Sequence, residues 1–217
     1  MDAEAGIAHP VIVLAAGRSS RLGSPKGLVD VQGQPWLCAQ LERLGACRAP
    51  SAVVVLGLDR EEYARAIAWI TRASEDWFLF AGVRVRVVRN PAPDRGPFSS
   101  LLCALDALDA AGGAFVLPID VPCPGRPVWR ALQDAAVSDG IDAAVPVHGA
   151  RGGHPVLCSA RLLARMRVVP LDAPDARLDA QLRALPDPAC ARVPVDDVRV
   201  TLNLNRPEDW ESVTGGS

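Results

Sequence analysis

The stretch Leu14-Ala-Ala-Gly-Arg-Ser-Ser-Arg-Leu-Gly-Ser-Pro-Lys26 continues the apolar run Val11-Ile-Val-Leu14 and decides how this chain is interpreted. An apolar run that passes into glycine and small residues predicts a strand that ends in a loop where the backbone approaches a ligand closely. Arg21 and Lys26 bring two positive charges to the same loop. The stretch therefore predicts a site for a phosphorylated anion at the end of an early strand.

The spacing of this loop excludes the commoner phosphate-binding motifs. A P-loop needs Gly-x4-Gly-Lys-Ser/Thr, whereas here five residues separate Gly17 from Gly23 and Lys26 comes later. The dinucleotide fingerprint Gly-x-Gly-x-x-Gly is also absent. The alternative for Arg21 and Lys26 is that both are ordinary solvated surface cations.

Composition narrows the class of protein and of ligand. The 217 residues carry a net charge of −2, with 49% hydrophobic and 22% charged residues, which argues against disorder and against a basic nucleic-acid surface. We expect one domain over residues 1–217 that binds a small anion and no nucleic acid. The chain has no apolar run near the roughly 20 residues that span a bilayer, and its start lacks the basic residues of a signal peptide. We therefore expect a cytoplasmic protein that does not bind membranes.

The six cysteines form no Cys-x-x-Cys pair and no zinc-type cluster with the three histidines. Disulfides are rare in a cytosolic setting. We therefore expect reduced thiols in the core or on the surface.

Apolar, β-branched runs alternate with helical patterns along the chain. The runs that predict strands are Val11–Leu14, Ala52–Leu56, Val83–Val88, Ala114–Leu117, Ala143–Val147 and Val198–Leu204. Apolar residues at helical spacing predict five helices. They lie after Pro35, after Gly96, around Leu132, after the capping candidate Ser159, and in a short stretch through Leu178, Leu182 and Leu185. This alternation predicts a mainly parallel sheet covered by helices.

Asp120 is the strongest candidate for a metal ligand. It follows the apolar run Phe115-Val-Leu-Pro-Ile119, so its carboxylate is expected at the same sheet edge as the opening loop. Mg²⁺ typically takes one or two carboxylates together with substrate phosphates, so a single aspartate is chemically sufficient. The alternative is an aspartate that closes a turn before Pro122.

The opening loop resembles the motif Leu-Ala-Ala/Gly-Gly-x-Ser-x-Arg-x-Gly-x-x-Lys of nucleotidyltransferases. The run Arg18-Ser-Ser-Arg21 fits best the MobA-like cytidylyl- and guanylyltransferases of the molybdenum cofactor. The resemblance extends from Val11 to Trp210. It implies the nucleotide-diphospho-sugar transferase (GT-A-like) fold, a mixed, mostly parallel sheet with helices on both faces. It also implies transfer of a nucleoside monophosphate from a triphosphate to a phosphorylated acceptor such as molybdopterin, with release of pyrophosphate.

The resemblance also implies roles for individual residues. Arg21, Lys26 and Asp120 are the expected catalytic residues, with Asp120 as the ligand of Mg²⁺. The nucleotide is expected to contact Leu14, Ala15, Ala16, Gly17, Arg21, Gly23 and Lys26 in the opening loop, and Asn90, Gly96, Ser99 and Ser100 in the segment that begins with Asn90-Pro91. For Ser99 and Ser100, helix capping is an equal alternative.

Two later motifs complete the predicted site. Arg151-Gly-Gly-His154-Pro-Val resembles a Gly-His-Pro-Val element, which implies that His154 lies on the acceptor side; a structural hydrogen bond is the alternative. Asn205, in Asn203-Leu-Asn205, offers a carbonyl oxygen as a neutral ligand of Mg²⁺. The alternative is an N-cap role before Pro207 and Glu208, and the two roles can coexist.

Motifs near the start and the end of the chain favour different nucleobases. Ala15-Ala16 favours CTP by resemblance, whereas Asn203-Leu-Asn205 is similar to the Asn-x-Asn of guanylyltransferases, so CTP is favoured and GTP stays open. Other functions also stay open: cytidylyl or uridylyl transfer to a sugar, alcohol or terpenoid-precursor phosphate, and a non-catalytic nucleotide-binding regulator. A glycosyltransferase is the weakest, because such enzymes lack this opening loop.

Overall fold

A nine-stranded sheet forms the centre of the computed structural model, which describes residues 6–17, 23–108 and 112–214. The strands of this sheet, in chain order, are β1 (Val11–Ala15), β4 (Ser51–Leu56), β5 (Phe78–Phe80), β6 (Val83–Arg89), β7 (Ala114–Pro118), β8 (Ala143–His148), β9 (Arg151–Gly152), β10 (Val156–Cys158) and β11 (Cys190–Pro194). A separate hairpin joins β2 (Asp30–Val31) to β3 (Gln34–Pro35).

The sheet is mixed and mostly parallel, as predicted. Its order is β11-β8-β10-β7-β1-β4-β6-β5, with β9 paired to β8. The core strands β7, β1, β4 and β6 run parallel to one another, and β10 and β5 are antiparallel to their neighbours. Strands β1 and β4 are almost wholly buried, which is typical of central parallel strands covered on both faces. The carboxyl ends of β1 and β7 therefore meet at one edge of the sheet.

Helices cover both faces of the sheet. They are α1 (Trp36–Ala46), α2 (Arg60–Ala66), α3 (Ile70–Glu75), α4 (Pro97–Asp106), α5 (Arg126–Ala136), α6 (Ala160–Arg167), α7 (Leu178–Arg183) and α8 (Pro207–Thr214). Successive strand residues point to opposite faces, so Val11 and Val13 pack with α1 and α5 in one core cluster, and Ile12 packs with α4 and α6 in the other.

Five of the six predicted strands are present, and the predicted strand over Val198–Leu204 is wrong. Residues Val198–Thr201 form a 3₁₀ turn, because the Asp197 carboxylate accepts the Arg199 N–H at 3.1 Å and closes it. The carbonyl of Val200 then accepts a hydrogen bond from the His154 N–H at 2.8 Å, and the Leu204 N–H donates to the Asp120 carbonyl at 2.8 Å. The segment therefore crosses the loops at the carboxyl ends of the strands instead of joining the sheet.

The predicted helices are all present. Ser159 caps α6 as expected, since its hydroxyl accepts the Leu162 N–H at 3.1 Å. Leu185 lies just beyond the end of α7. The single domain over residues 1–217 stays a prediction.

The six cysteines are free thiols, as expected. Burial raises the pKa of Cys38 to about 11 and that of Cys158 to about 12, so both stay protonated at neutral pH. In the described ranges, the longest apolar helices are too short to cross a membrane.

Candidate functional site

A cavity of about 810 Å³ opens where β1 and β7 end. One wall consists of residues 14–17 and Lys26, and a second consists of the loop before α4 with Gly96 and Ser100. Residues 118–120 form its floor, and residues 152–154 and 176–179 form the far side. The cavity therefore lies at the sheet edge where the sequence places the anion site.

The side chains of Lys26, Asp120 and Asn205 meet in this region. The Lys26 ammonium donates to Asp120 Oδ2 at 2.8 Å and to Asn205 Oδ1 at 2.6 Å. The Lys26 and Asp120 side chains are only 17% and 22% exposed, so the pair is shielded from bulk water. Lys26 thus contacts Asp120, which is 94 positions away in the chain, and Asn205, which is 179 positions away. Two predicted catalytic residues and the second predicted metal ligand therefore meet at one point.

The donor set of this cluster fits a magnesium-type ion. Asp120 Oδ2 and Asn205 Oδ1 are both hard oxygens, and both already hold one cation, the Lys26 ammonium. Across residues 6–17, 23–108 and 112–214, three or more His, Cys, Asp or Glu side chains do not converge anywhere as a metal cage. An ion bound here would therefore complete its shell with water or substrate oxygens, which is how Mg²⁺ usually binds.

The loop that carries Asp120 depends on side chains from α1. The segment Pro118–Pro124 contains three prolines, which have no N–H to donate. The Trp36 indole N–H donates to the Ile119 carbonyl at 2.7 Å, and Gln40 bonds the Val121 carbonyl at 2.7 Å and the Cys123 N–H at 2.8 Å. Both side chains are fully buried. Trp36 and Gln40 thus fix the backbone on both sides of Asp120.

Sequence reasoning missed this role of Gln40, although a signal for it exists. Gln40 lies on the helix face of Leu37, Leu41 and Leu44, so it is a polar residue in an apolar stripe. A buried amide needs partners, so its position alone predicts hydrogen bonds to another segment. The pattern does not reveal which segment.

Tyr63 supports the turn that presents Lys26, and it was not predicted either. Its hydroxyl accepts the Gly27 N–H at 3.1 Å, and a Cβ on residue 27 would lie 2.6 Å from that oxygen. Burial raises the pKa of Tyr63 well above its usual value, so the phenol stays neutral. The absence of a side chain at Gly27 allows this contact.

Asp209 fixes the backbone at Asn205. Helix α8 begins at Pro207, and the Asp209 carboxylate accepts the N–H groups of Arg206 at 2.8 Å and Asn205 at 2.9 Å. The bond from Arg206, with that from Asn205, lowers the pKa of Asp209. The Asp209 carboxylate therefore satisfies the N–H groups just before the helix, and the Asn205 side chain accepts a bond from Lys26.

The opening loop is described on both sides of a gap. Leu14, Ala15, Ala16 and Gly17 line the cavity, and their contact with a nucleotide stays a prediction. Gly57 allows the loop after β4 to approach closely, since a Cβ there would lie 2.6 Å from the Ala16 carbonyl oxygen. Gly23 adopts φ 71° and is not part of the cavity lining. Arg21 lies outside the described residues.

The segment from Asn90 to Ser100 forms a compact network. The Asn90 amide donates to the hydroxyls of Ser99 at 2.8 Å and Ser100 at 2.9 Å, and its oxygen accepts the Ala92 N–H at 2.8 Å. Ser99 donates to the Gly96 carbonyl at 2.8 Å. Gly96 and Ser100 line the cavity, whereas Asn90 and Ser99 lie behind that surface. Gly96 occupies the N-cap position of α4, so the capping alternative for the two serines is wrong.

His154 lies at the far side of the cavity and is mostly buried. Burial lowers its pKa, against the opposing effects of its backbone bond and of the nearby Asp120 carboxylate. Its Nδ1 is 3.3 Å from the Val116 carbonyl oxygen, which can only accept, so Nδ1 carries the proton in the neutral ring. His154 therefore both makes a structural hydrogen bond and lines the cavity.

The cavity lining also includes four residues that were not among the predicted site residues. Arg95 and Arg177 bring positive charge, and Leu178 and Leu182 of α7 add apolar surface. Arg177 forms two hydrogen bonds with the Asp179 carboxylate, at 3.0 and 3.1 Å. Arginines and leucines are common throughout the chain, so only the fold brings these four together.

Comparison with known proteins identifies a family and similar sequences. A family model described as the MobA-like NTP transferase domain matches residues 11–189. A probable molybdenum cofactor guanylyltransferase of Methanothermobacter thermautotrophicus is 26% identical over 204 residues, which cover 92% of this chain and 95% of that protein. The bifunctional protein GlmU of Heliobacterium modesticaldum is 33% identical over 97 residues, covering 42% of this chain and 21% of that protein, so the match spans about a fifth of its length.

Solved structures confirm the expected fold. The Rv0371c protein of Mycobacterium tuberculosis H37Rv superposes with a TM-score of 0.73 at 22% identity, covering 98% of this chain and all of that one. The same protein has been solved in complex with manganese, and that structure superposes with a TM-score of 0.69 at 20% identity, covering 96% and 98% of the two chains.

Adjacent glycines beside His154 give a matched test of the local packing. A Cβ on Gly153 would lie 2.0 Å from the Val200 carbonyl oxygen, whereas a Cβ on Gly152 would meet only side-chain atoms of Val145 and Arg192, the nearest at 3.4 Å. We expect Gly153→Ala to lower the melting temperature markedly and Gly152→Ala to change it little. Thermal unfolding of both variants tests this, and equal melting temperatures would contradict it.

Replacing Gln40 by leucine tests the support of the Asp120 loop. The variant leaves the Val121 carbonyl and the Cys123 N–H without their side-chain partner, and each buried unpaired group costs about 1–3 kcal/mol. We expect denaturant unfolding to show a loss of at least about 2 kcal/mol. Gln34→Leu, which removes an exposed bond to Glu42, is the control and should lose much less.

Proposed function

Because this chain belongs to the MobA-like NTP transferase family, a family of nucleotidyltransferases, we propose that its cavity transfers a nucleoside monophosphate from a triphosphate to a phosphorylated acceptor. The observation that carries the proposal is the convergence of Lys26, Asp120 and Asn205 beside the opening loop. A cation, a carboxylate and an amide oxygen at the mouth of a phosphate-binding loop suit a triphosphate and its metal ion.

The reaction needs no strong general base. An oxygen of the acceptor phosphate attacks the α-phosphorus, the bond from that phosphorus to the bridging oxygen breaks, and pyrophosphate leaves. A phosphate monoester has a second pKa of about 6, so the attacking oxygen is already ionised at neutral pH.

Positioning and charge neutralisation then supply most of the catalysis. Asp120 and Asn205 would hold Mg²⁺, which supplies positive charge to the phosphates of the substrate. The manganese complex of the Rv0371c protein supports a divalent ion in this fold. Lys26 stabilises the departing pyrophosphate as a compact point charge. Arg21, on the resemblance of its motif, serves the same group with a planar fork of donors.

The walls of the cavity suggest how the nucleotide is held. Residues 14–17 contribute backbone that a ligand can approach closely, and Gly96 and Ser100 also line the cavity. Asn90 and Ser99 act from behind, since their hydrogen bonds fix the shape of the loop that carries Gly96.

For the base, similarity to a probable guanylyltransferase and the Asn203-Leu-Asn205 tail favour GTP, whereas Ala15-Ala16 favours CTP.

The acceptor is proposed to bind at the far side, beside His154 and Arg177. A cavity of about 810 Å³ has room for a second ligand next to the triphosphate. Molybdopterin is the acceptor that the guanylyltransferase relative suggests. A small sugar or alcohol phosphate is the alternative, and a panel of acceptors separates the two. A non-catalytic regulator is disfavoured, because it would not need Lys26, Asp120 and Asn205 in one contact.

The nucleotide preference can be tested by thermal unfolding with CTP, GTP, UTP and ATP, each with and without Mg²⁺. A ligand at a hundred times its dissociation constant adds about 2.7 kcal/mol of stability. We expect one of CTP and GTP to raise the melting temperature most, and only with Mg²⁺. A metal-independent shift would argue against the metal site, and no shift with any triphosphate would argue against both the transferase and the nucleotide-binding regulator.

Substitutions at the cluster test the catalytic assignment. Lys26→Ala and Asp120→Asn each remove one electrostatic contact, and such losses commonly lower kcat by on the order of a hundredfold. Pyrophosphate release measures the rate, and circular dichroism checks the fold. Arg161→Ala, which breaks a carboxylate pair with Asp142 away from the cavity, is the control and should keep the wild-type rate. Near-normal turnover in either cluster variant would refute its role.

A further inference from the structure

Lys26 occupies the place that a divalent ion would need. Its ammonium touches both predicted ligands at once, Asp120 Oδ2 at 2.8 Å and Asn205 Oδ1 at 2.6 Å. A magnesium-type ion bound to the same oxygens would lie about 2.1 Å from each. Two cations that share these oxygens would lie close enough to repel each other strongly. The ammonium and the metal ion therefore compete for these two oxygens.

From this geometry we propose that Lys26 is a stand-in cation, which keeps the metal site closed in the ligand-free protein and opens it when a triphosphate binds. The inference rests on the proposed function, because it takes Asp120 and Asn205 as the metal ligands. It adds that the metal ion and the triphosphate bind cooperatively, and that a metal ion alone binds weakly.

The triphosphate supplies the reason for Lys26 to move. Lys26 lines the cavity next to residues 14–17, so a phosphate bound to the opening loop offers it another anionic partner. Its flexible four-carbon stem allows the ammonium to turn without a change in the backbone. Once the ammonium has turned to the phosphates, both oxygens are available to the metal ion.

The surroundings restrict the exchange to this one side chain. The turn at Lys26 is fixed by the Gly27 bond to Tyr63, the loop at Asp120 by Trp36 and Gln40, and the backbone at Asn205 by Asp209. The backbone that carries the three side chains therefore needs no rearrangement when Lys26 leaves. The exchange requires movement of side chains only.

The expected size of the effect follows from the two bonds. A hydrogen bond that involves a charged group contributes enough stability to change an equilibrium constant by about tenfold or more. Displacing the ammonium should therefore weaken metal binding to the ligand-free protein by at least about tenfold. By linkage, the metal ion should increase the affinity for the triphosphate by the same factor that the triphosphate increases the affinity for the metal ion.

The test is Mn²⁺ binding to the ligand-free full chain, measured by the loss of the free-ion signal in electron paramagnetic resonance. We expect Lys26→Met to bind Mn²⁺ at least about tenfold more tightly than the wild type. Lys26→Gln is a second variant in case the first fails to fold. Arg95→Met is the matched control, because Arg95 lines the same cavity but takes no part in the contacts with Asp120 and Asn205. It should stay within about threefold of the wild type, the size expected for a charge not paired with the ligands.

Three outcomes separate the inference from the proposed function. Tight Mn²⁺ binding by Lys26→Met that disappears in the double variant with Asp120→Asn supports the inference. Equal Mn²⁺ affinity of Lys26→Met and the wild type, or an equal gain in Arg95→Met, overturns the inference. If the wild type then still binds Mn²⁺ together with a non-hydrolysable triphosphate, the proposed function stands. Absence of Mn²⁺ binding in all variants, with and without that analogue, overturns the proposed function as well.

Discussion

The contact of the Lys26 ammonium with Asp120 and Asn205 joins three distant parts of the chain, and the site depends on it. Lys26 begins the turn after the opening loop, Asp120 follows β7, and Asn205 precedes α8. Their convergence requires β1 and β7 to be parallel neighbours, so that both strands end at the same edge. It also requires the tail of the chain to return across that edge, which the Leu204 bond to the Asp120 carbonyl secures.

The loops at this edge are held by buried side chains that take the place of missing backbone partners. Strands provide a regular ladder of hydrogen bonds, but a segment rich in proline that leaves the sheet does not. Trp36 and Gln40 bond the peptide groups around Asp120, and Asn90 does the same for the loop before α4. Rigid backbone around a few movable side chains is the arrangement that electrostatic catalysis requires, because the charges need little reorganisation.

The sequence predicted those features that depend on local pattern. The strand of the opening loop and its place at the sheet edge follow from apolar runs, and the position of Asp120 follows from the same rule. The error over Val198–Leu204 has the same origin, because an apolar, β-branched run looks alike in a strand and in a segment that packs across strand ends. Contacts such as Gln40 with Val121 join residues 81 positions apart, and Tyr63 with Gly27 joins residues 36 apart. Such pairs follow only from the fold, so the sequence did not reveal them.

The most direct test of the account is the product formed from molybdopterin, Mg²⁺ and either GTP or CTP by the purified protein. Mass spectrometry identifies the product, and a coupled assay counts pyrophosphate. We expect one dinucleotide, with the nucleoside monophosphate joined to the phosphate of the pterin and one pyrophosphate released for each product formed. Release of no pyrophosphate with either triphosphate, or formation of the same product at the same rate by the Asp120→Asn variant, would contradict the proposed function.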